Sequence, residues 1–139
     1  MTIKSSDTEL LKNDFEYQSF IANNPSKAFV KVRASSINEA LPIKDLEVYI
    51  SKKIGTNTIV FFEGKTDESG MINGITLPAP AKVKTNEDIP EFTKYDLNAT
   101  YLKSNFKKTY PISVCCGITI VQHINIIPNA SQERNIYGY

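Results

Sequence analysis

The sequence has no tryptophan, one histidine, two methionines, six glycines and two cysteines. Each shortage removes a class of function. A single histidine, His123, cannot furnish a multi-histidine hydrolase centre, and beside one cysteine pair it offers no usual zinc spacing. Cys115 and Cys116 are adjacent, so no disulfide framework can be built from them. Apolar runs are a few residues long, against the ~20 that a membrane-spanning helix needs. The opening MTIKSSDTELLKND has neither an apolar h-region nor a small-residue cleavage site, which predicts cytoplasmic synthesis without a signal peptide. Charge of one sign is also missing: 16 Lys and Arg stand against 15 Asp and Glu. That balance argues against a general nucleic-acid binder, which needs a basic surplus to displace counterions. No phosphate-cradling glycine loop, serine elbow or dinucleotide fingerprint occurs, so neither cofactor nor metal is expected.

What is present fits one soluble domain. The chain has 139 residues, 41% of them hydrophobic and 22% charged, enough for a packed core. Its charge is uneven. Residues 1–24 set Lys4 and Lys12 against Asp7, Glu9, Asp14 and Glu16, whereas residues 100–139 set three lysines and Arg134 against Glu133. These are either solvated faces or an acidic arm that meets the basic end of another copy.

Periodicity divides the chain. Residues 7–22 read as one helix, capped by Asp7, with Leu10, Leu11, Phe15, Phe20 and Ile21 along one face and Asn23, Asn24 and Pro25 as its stop. From Ala28 the period becomes two: Val30 and Val32, then Leu46, Val48 and Ile50, then Leu97 and Ala99 are expected in an inter-sheet core. Residues 53–57 and 66–70 read as hairpin loops, and 78–92 as a long irregular loop, because Pro78 and Pro80 cannot sit in a central strand. The expectation is an all-β antiparallel sandwich of about seven strands, with a helical arm over 1–25, the sandwich over 26–128 and a tail over 129–139.

Candidate chemistry is sparse. His123 lies in an alternating strand and reads as a surface histidine. Alternation predicts that one of Cys115 and Cys116 is buried and the other exposed, both as free thiols. Residues 67–70, DESG, resemble the start of a calcium loop but lack its further ligands, so a plain turn is expected. A Lys–Asn cross-link would have to join Lys31 to Asn125 beside Asp96 or Glu47, yet Lys31 is out of phase with Val30 and Val32 and should face solvent.

The runs KTDESGMINGITLPAP (65–80), YDLNA (95–99) and GITIVQHINIIP (117–128) resemble the carboxypeptidase-regulatory-like, prealbumin-like sandwich of clostridial and related Firmicutes proteins. The chain is also similar to the N-terminal module of spore cortex-lytic enzyme precursors, which likewise open with a short helix ending in Asn-Pro, as Asn24-Pro25 does here. It departs from them at Cys115 and Cys116, where an aromatic or acidic residue is usual, and the catalytic region that follows the module in those precursors has no counterpart within these 139 residues. The resemblance implies a non-enzymatic structural or binding module, associated with a spore or cell wall. A structural adaptor of a phage or phage-tail-like particle and a transthyretin-like hydrolase are the alternatives. The expected partner is a protein or a second copy, with cell-wall glycan as a further candidate and neither nucleic acid nor membrane. The expected contacts are Val83, Ile89 and Phe92 in the proline-stiffened loop and Ile136, Tyr137 and Tyr139 in the tail.

Overall fold

Alternating apolar and polar residues leave a strand with one face to bury, and two sheets bury those faces against each other. The computed structural model describes residues 1–36, 40–82 and 91–127. Among these it has nine strands: β1 (Thr2–Lys4), β2 (Ser26–Ser36), β3 (Leu41–Pro42), β4 (Glu47–Ile54), β5 (Asn57–Lys65), β6 (Met71–Ala79), β7 (Thr93–Tyr101), β8 (Phe106–Val114) and β9 (Thr119–Ile126). One sheet runs β1-β5-β4-β7-β8. In the other, β2 is central, with β6 and then β3 along one side and β9 along the other from Phe29 to Ser36. The two strands beyond the expected seven are β1 and β3, three and two residues long, too short to show any alternation. The sheets are mixed rather than antiparallel, since β1 runs parallel to β5 and β9 parallel to β2.

The core lies between the sheets. Val30, Val32, Leu46, Val48, Ile50, Leu97 and Ala99 are all buried there, as their alternation predicts, together with Leu77, Ile112, Val114, Ile124 and Ile126. Each large aliphatic side chain in this set contributes roughly 1.5–3 kcal/mol by leaving water. Tyr95 ties the layers directly: it stands on β7, and its hydroxyl donates to the Pro78 carbonyl on β6 at 2.5 Å.

The helical stretch is two helices, α1 (Thr8–Leu11) and α2 (Phe15–Asn23), not one. The break has a local cause. Asp7 accepts from the Leu10 N–H, and Asp14 accepts from the Tyr17 N–H, so the same capping chemistry restarts seven residues on. Leu11 is buried with Ile3, Ile54 and Ile59. From α2, Phe20 packs on Phe61 at 5.7 Å and on Tyr95 at 6.3 Å, closing one end of the sandwich. No helix among the described residues is long and apolar enough to cross a membrane.

Turns and bulges set the phase. Gly55, at φ +64°, makes the tight β4–β5 hairpin. The 66–70 turn is not a hairpin, because β5 and β6 belong to different sheets; it carries the chain across the sandwich. Thr66 is buried inside it, and its Oγ1 donates to the Ile43 carbonyl at 2.6 Å while accepting from the Leu46 N–H at 3.0 Å. Asp67 Oδ1 accepts from the Ser69 and Met71 N–H groups, so this carboxylate holds a turn. Pro78 and Ala79 belong to β6 rather than to a loop, and β6 is an edge strand, where a missing donor is tolerated. On β6 a bulge places Asn73 and Gly74 opposite Lys31 and keeps both Ile72 and Ile75 facing inward.

Candidate functional site

The central strand β2 sorts its residues by face. Ala28, Val30, Val32 and Ala34 are 1% exposed or less, which leaves Lys27, Phe29, Lys31 and Arg33 on the outer face. Alternate residues of a strand are about 7 Å apart, so these four make a stripe of roughly 20 Å. Both neighbouring strands widen it. On β6, Pro78, Thr76 and Met71 stand opposite Lys27, Phe29 and Arg33. On β9, Thr119, Val121 and His123 stand opposite Phe29, Lys31 and Arg33. Phe29 is 37% exposed and Val121 47%, and His123 is exposed beside them.

The electrostatics of this face are one-sided. None of β2, β3, β6 and β9 contains Asp or Glu; their only ionisable residues are Lys27, Lys31, Arg33 and His123. The other sheet interleaves its signs, with Glu47, Glu63 and Asp96 among its lysines. The ion pairs among the described residues join Lys4 to Glu63, Lys12 to Glu9 and Lys44 to Glu68, and none reaches Lys27, Lys31 or Arg33. Two like charges about 7 Å apart repel by about 0.6 kcal/mol in water. The face therefore carries a small self-repulsion that an acidic partner would relieve.

Of the sequence-predicted contacts, Phe92 lies among the described residues and is not on this face. Phe92 is 58% exposed immediately before β7, in the five-stranded sheet rather than on this face. Val83, Ile89, Ile136, Tyr137 and Tyr139 lie outside the described residues. Cys115 and Cys116 are unbridged. Both are half-buried, not one in and one out, because β8 ends at Val114 and strand alternation ends with it. Their turn is pinned to the start of the basic stripe, since the Gly117 N–H donates to the Lys27 carbonyl at 2.9 Å. Lys31 does project away from the core. It pairs with Val121 while Asn125 pairs with Ser35, four rungs and about 13 Å away, and Glu47 and Asp96 sit in the other sheet, so no cross-link is assembled. Among the described residues no three His, Cys, Asp or Glu side chains converge.

The signal for this basic face is visible in the sequence. Cations recur with period two at 27, 31 and 33, and the segments 26–36, 71–79 and 119–126 contain no acid. That these segments adjoin follows only from the pairing of β2 with β6 and β9.

No family model matches the chain, and neither does any curated protein. Among solved structures it is similar to the 5-hydroxyisourate hydrolase of Klebsiella pneumoniae, at 17% identity over 73% of this chain and 90% of that one, with a TM-score of 0.49. A likeness of that size transfers no function, and the two-sheet sandwich rests on its own strand pairing.

Proposed function

We propose that this chain is a non-enzymatic, prealbumin-like sandwich module that docks an acidic protein surface on the outer face of β2, β6 and β9. The observation that carries this reading is the one-signed charge of the face, with Phe29 and Val121 exposed among its cations. Apolar side chains supply contact area, and cations supply steering and register. The non-enzymatic part draws support from His123, which stands open to solvent in strands that offer no carboxylate to orient it. The resemblance implies the setting, a spore- or cell-wall-associated structure, with a phage-like particle as the alternative.

The test is binding to an immobilised peptide in which Glu alternates with Leu. Wild type should bind in a salt-sensitive manner, and Lys31→Glu with Arg33→Glu should weaken binding about tenfold or more. Unchanged binding by the double variant would overturn the reading.

A further inference from the structure

A basic, partly apolar face calls for an acidic, partly apolar partner, and the chain carries one. Residues 7–16 contain Asp7, Glu9, Asp14 and Glu16 against Lys12 alone. Within the same stretch Phe15 is 81% exposed and Leu10 57%. These side chains are not on a loose arm. Leu11 is 1% exposed beneath them, Asp7 and Asp14 cap α1 and α2, and the Asn57 side-chain amide donates to Asp14 at 3.1 Å. None of the nine residues of α2 is fully buried, so its outer side is unpartnered among the described residues. A preformed surface of this kind forfeits little ordering entropy on docking.

The two surfaces belong to different parts of the molecule. Residues 7–16 are anchored to the β1–β5–β4 side of the five-stranded sheet, through Ile3, Ile54 and Ile59. The basic face is the outer face of the other sheet. None of the four acids forms an ion pair with Lys27, Lys31 or Arg33 within the chain.

We infer that the basic face is filled by the 7–16 segment of a second copy. This rests on the docking-face reading above and names its occupant. Glu9 and Glu16 then oppose Lys31 and Arg33, while Phe15 and Leu10 cover Phe29 and Val121. Because the two patches differ, the contact is heterologous: each copy offers one surface and accepts the other, and copies add head to tail into a ring or a filament.

Charge exchange tests this, read by sedimentation over a range of concentrations at low and high salt, with melting temperature as the folding control. Wild type should self-associate, less at high salt. Lys31→Glu with Arg33→Glu should be monomeric alone, as should Glu9→Lys with Glu16→Lys. An equal mixture of the two variants should associate again, since the reversed segment of one matches the reversed face of the other. Phe15→Ser should weaken wild-type association about tenfold. A wild type that stays monomeric throughout overturns the inference, and the acidic-peptide measurement then decides the docking face by itself. Loss of association in the face variant with none in the segment variant keeps the docking face and overturns the segment as its occupant. Association unchanged in both variants overturns the inference, and the acidic-peptide measurement again decides the docking face by itself.

Discussion

Replacing Thr66 by valine removes one hydroxyl from a fully enclosed site and preserves its shape. Thr66 is 2% exposed. Its hydroxyl donates to the Ile43 carbonyl at 2.6 Å and accepts from the Leu46 N–H at 3.0 Å, fastening the chain before β4 to the end of β5. Thr66→Val leaves that carbonyl and that N–H facing a methyl group. Each unpaired buried group costs about 1–3 kcal/mol, and the added methyl returns less than about 1 kcal/mol. The net loss is about 3 kcal/mol. For a chain of 139 residues each kcal/mol shifts Tm by about 3–5 °C, so the variant should melt about 10–15 °C lower. Thr66→Ser keeps both hydrogen bonds and loses one methyl, for about 1 kcal/mol. Urea denaturation should give the same ranking, with an unchanged m-value. A valine variant that melts with wild type, or a serine variant less stable than the valine one, would refute the clamp.

Two glycines with nearly equal φ should respond unequally. At Gly70 (φ +74°) a Cβ would lie 2.3 Å from the Ala34 carbonyl oxygen, so Gly70→Ala must push β2 aside and should cost more than about 3 kcal/mol; at Gly74 (φ +77°) nothing lies within 4 Å, and Gly74→Ala should cost about 1 kcal/mol, as compared by urea midpoints. Equal losses would contradict the close approach. Burial, and then the negative charge of an ionised Tyr17, push the Tyr95 phenol well above its ordinary value of 10.0. The folded chain keeps a proton that the unfolded chain releases near pH 10, so this contribution is complete below that pH and declines above it. Tyr95→Phe should cost about 1–2 kcal/mol near neutrality through the lost bond to Pro78, and should flatten the fall in stability between about pH 10 and 11; an unchanged slope would assign that fall to other groups.

The core was legible wherever a strand was long enough to alternate. Val48 and Ile50 on β4, and Leu97 and Ala99 on β7, follow directly from period two. Ile3 was not legible, because three residues of β1 carry no periodicity and Ile3 earns its place through pairing with Ile59. The helix break is legible in part: Asp7 stands out as a cap, while Asp14, the same residue in the same role, lies inside the single helix that the apolar spacing predicts over 7–22. The turn at 66–70 was legible as a turn, but turn chemistry does not say which sheet receives the next strand; that depends on Thr66 reaching back to Ile43 and Leu46. The basic face is legible strand by strand and invisible as a surface, because Arg33 and His123 meet only through pairing across the length of the chain.

That pairing has a consequence for the order of events in synthesis. From Phe29 with Thr119 to Ser36 with Ile126, the β2–β9 ladder joins residues that are always 90 positions apart. Closing so long a loop is entropically demanding, and contacts of this range form late. A chain emerging from its N-terminus completes residues 7–16 long before β9 exists, so it can offer its acidic segment early. The proposed acceptor face, by contrast, exists only after β9 has brought Val121 and His123 alongside Lys31 and Arg33. In the head-to-tail arrangement proposed above, growth would admit finished copies as acceptors and stop at an unfinished one, so that completion of the fold would act as a checkpoint.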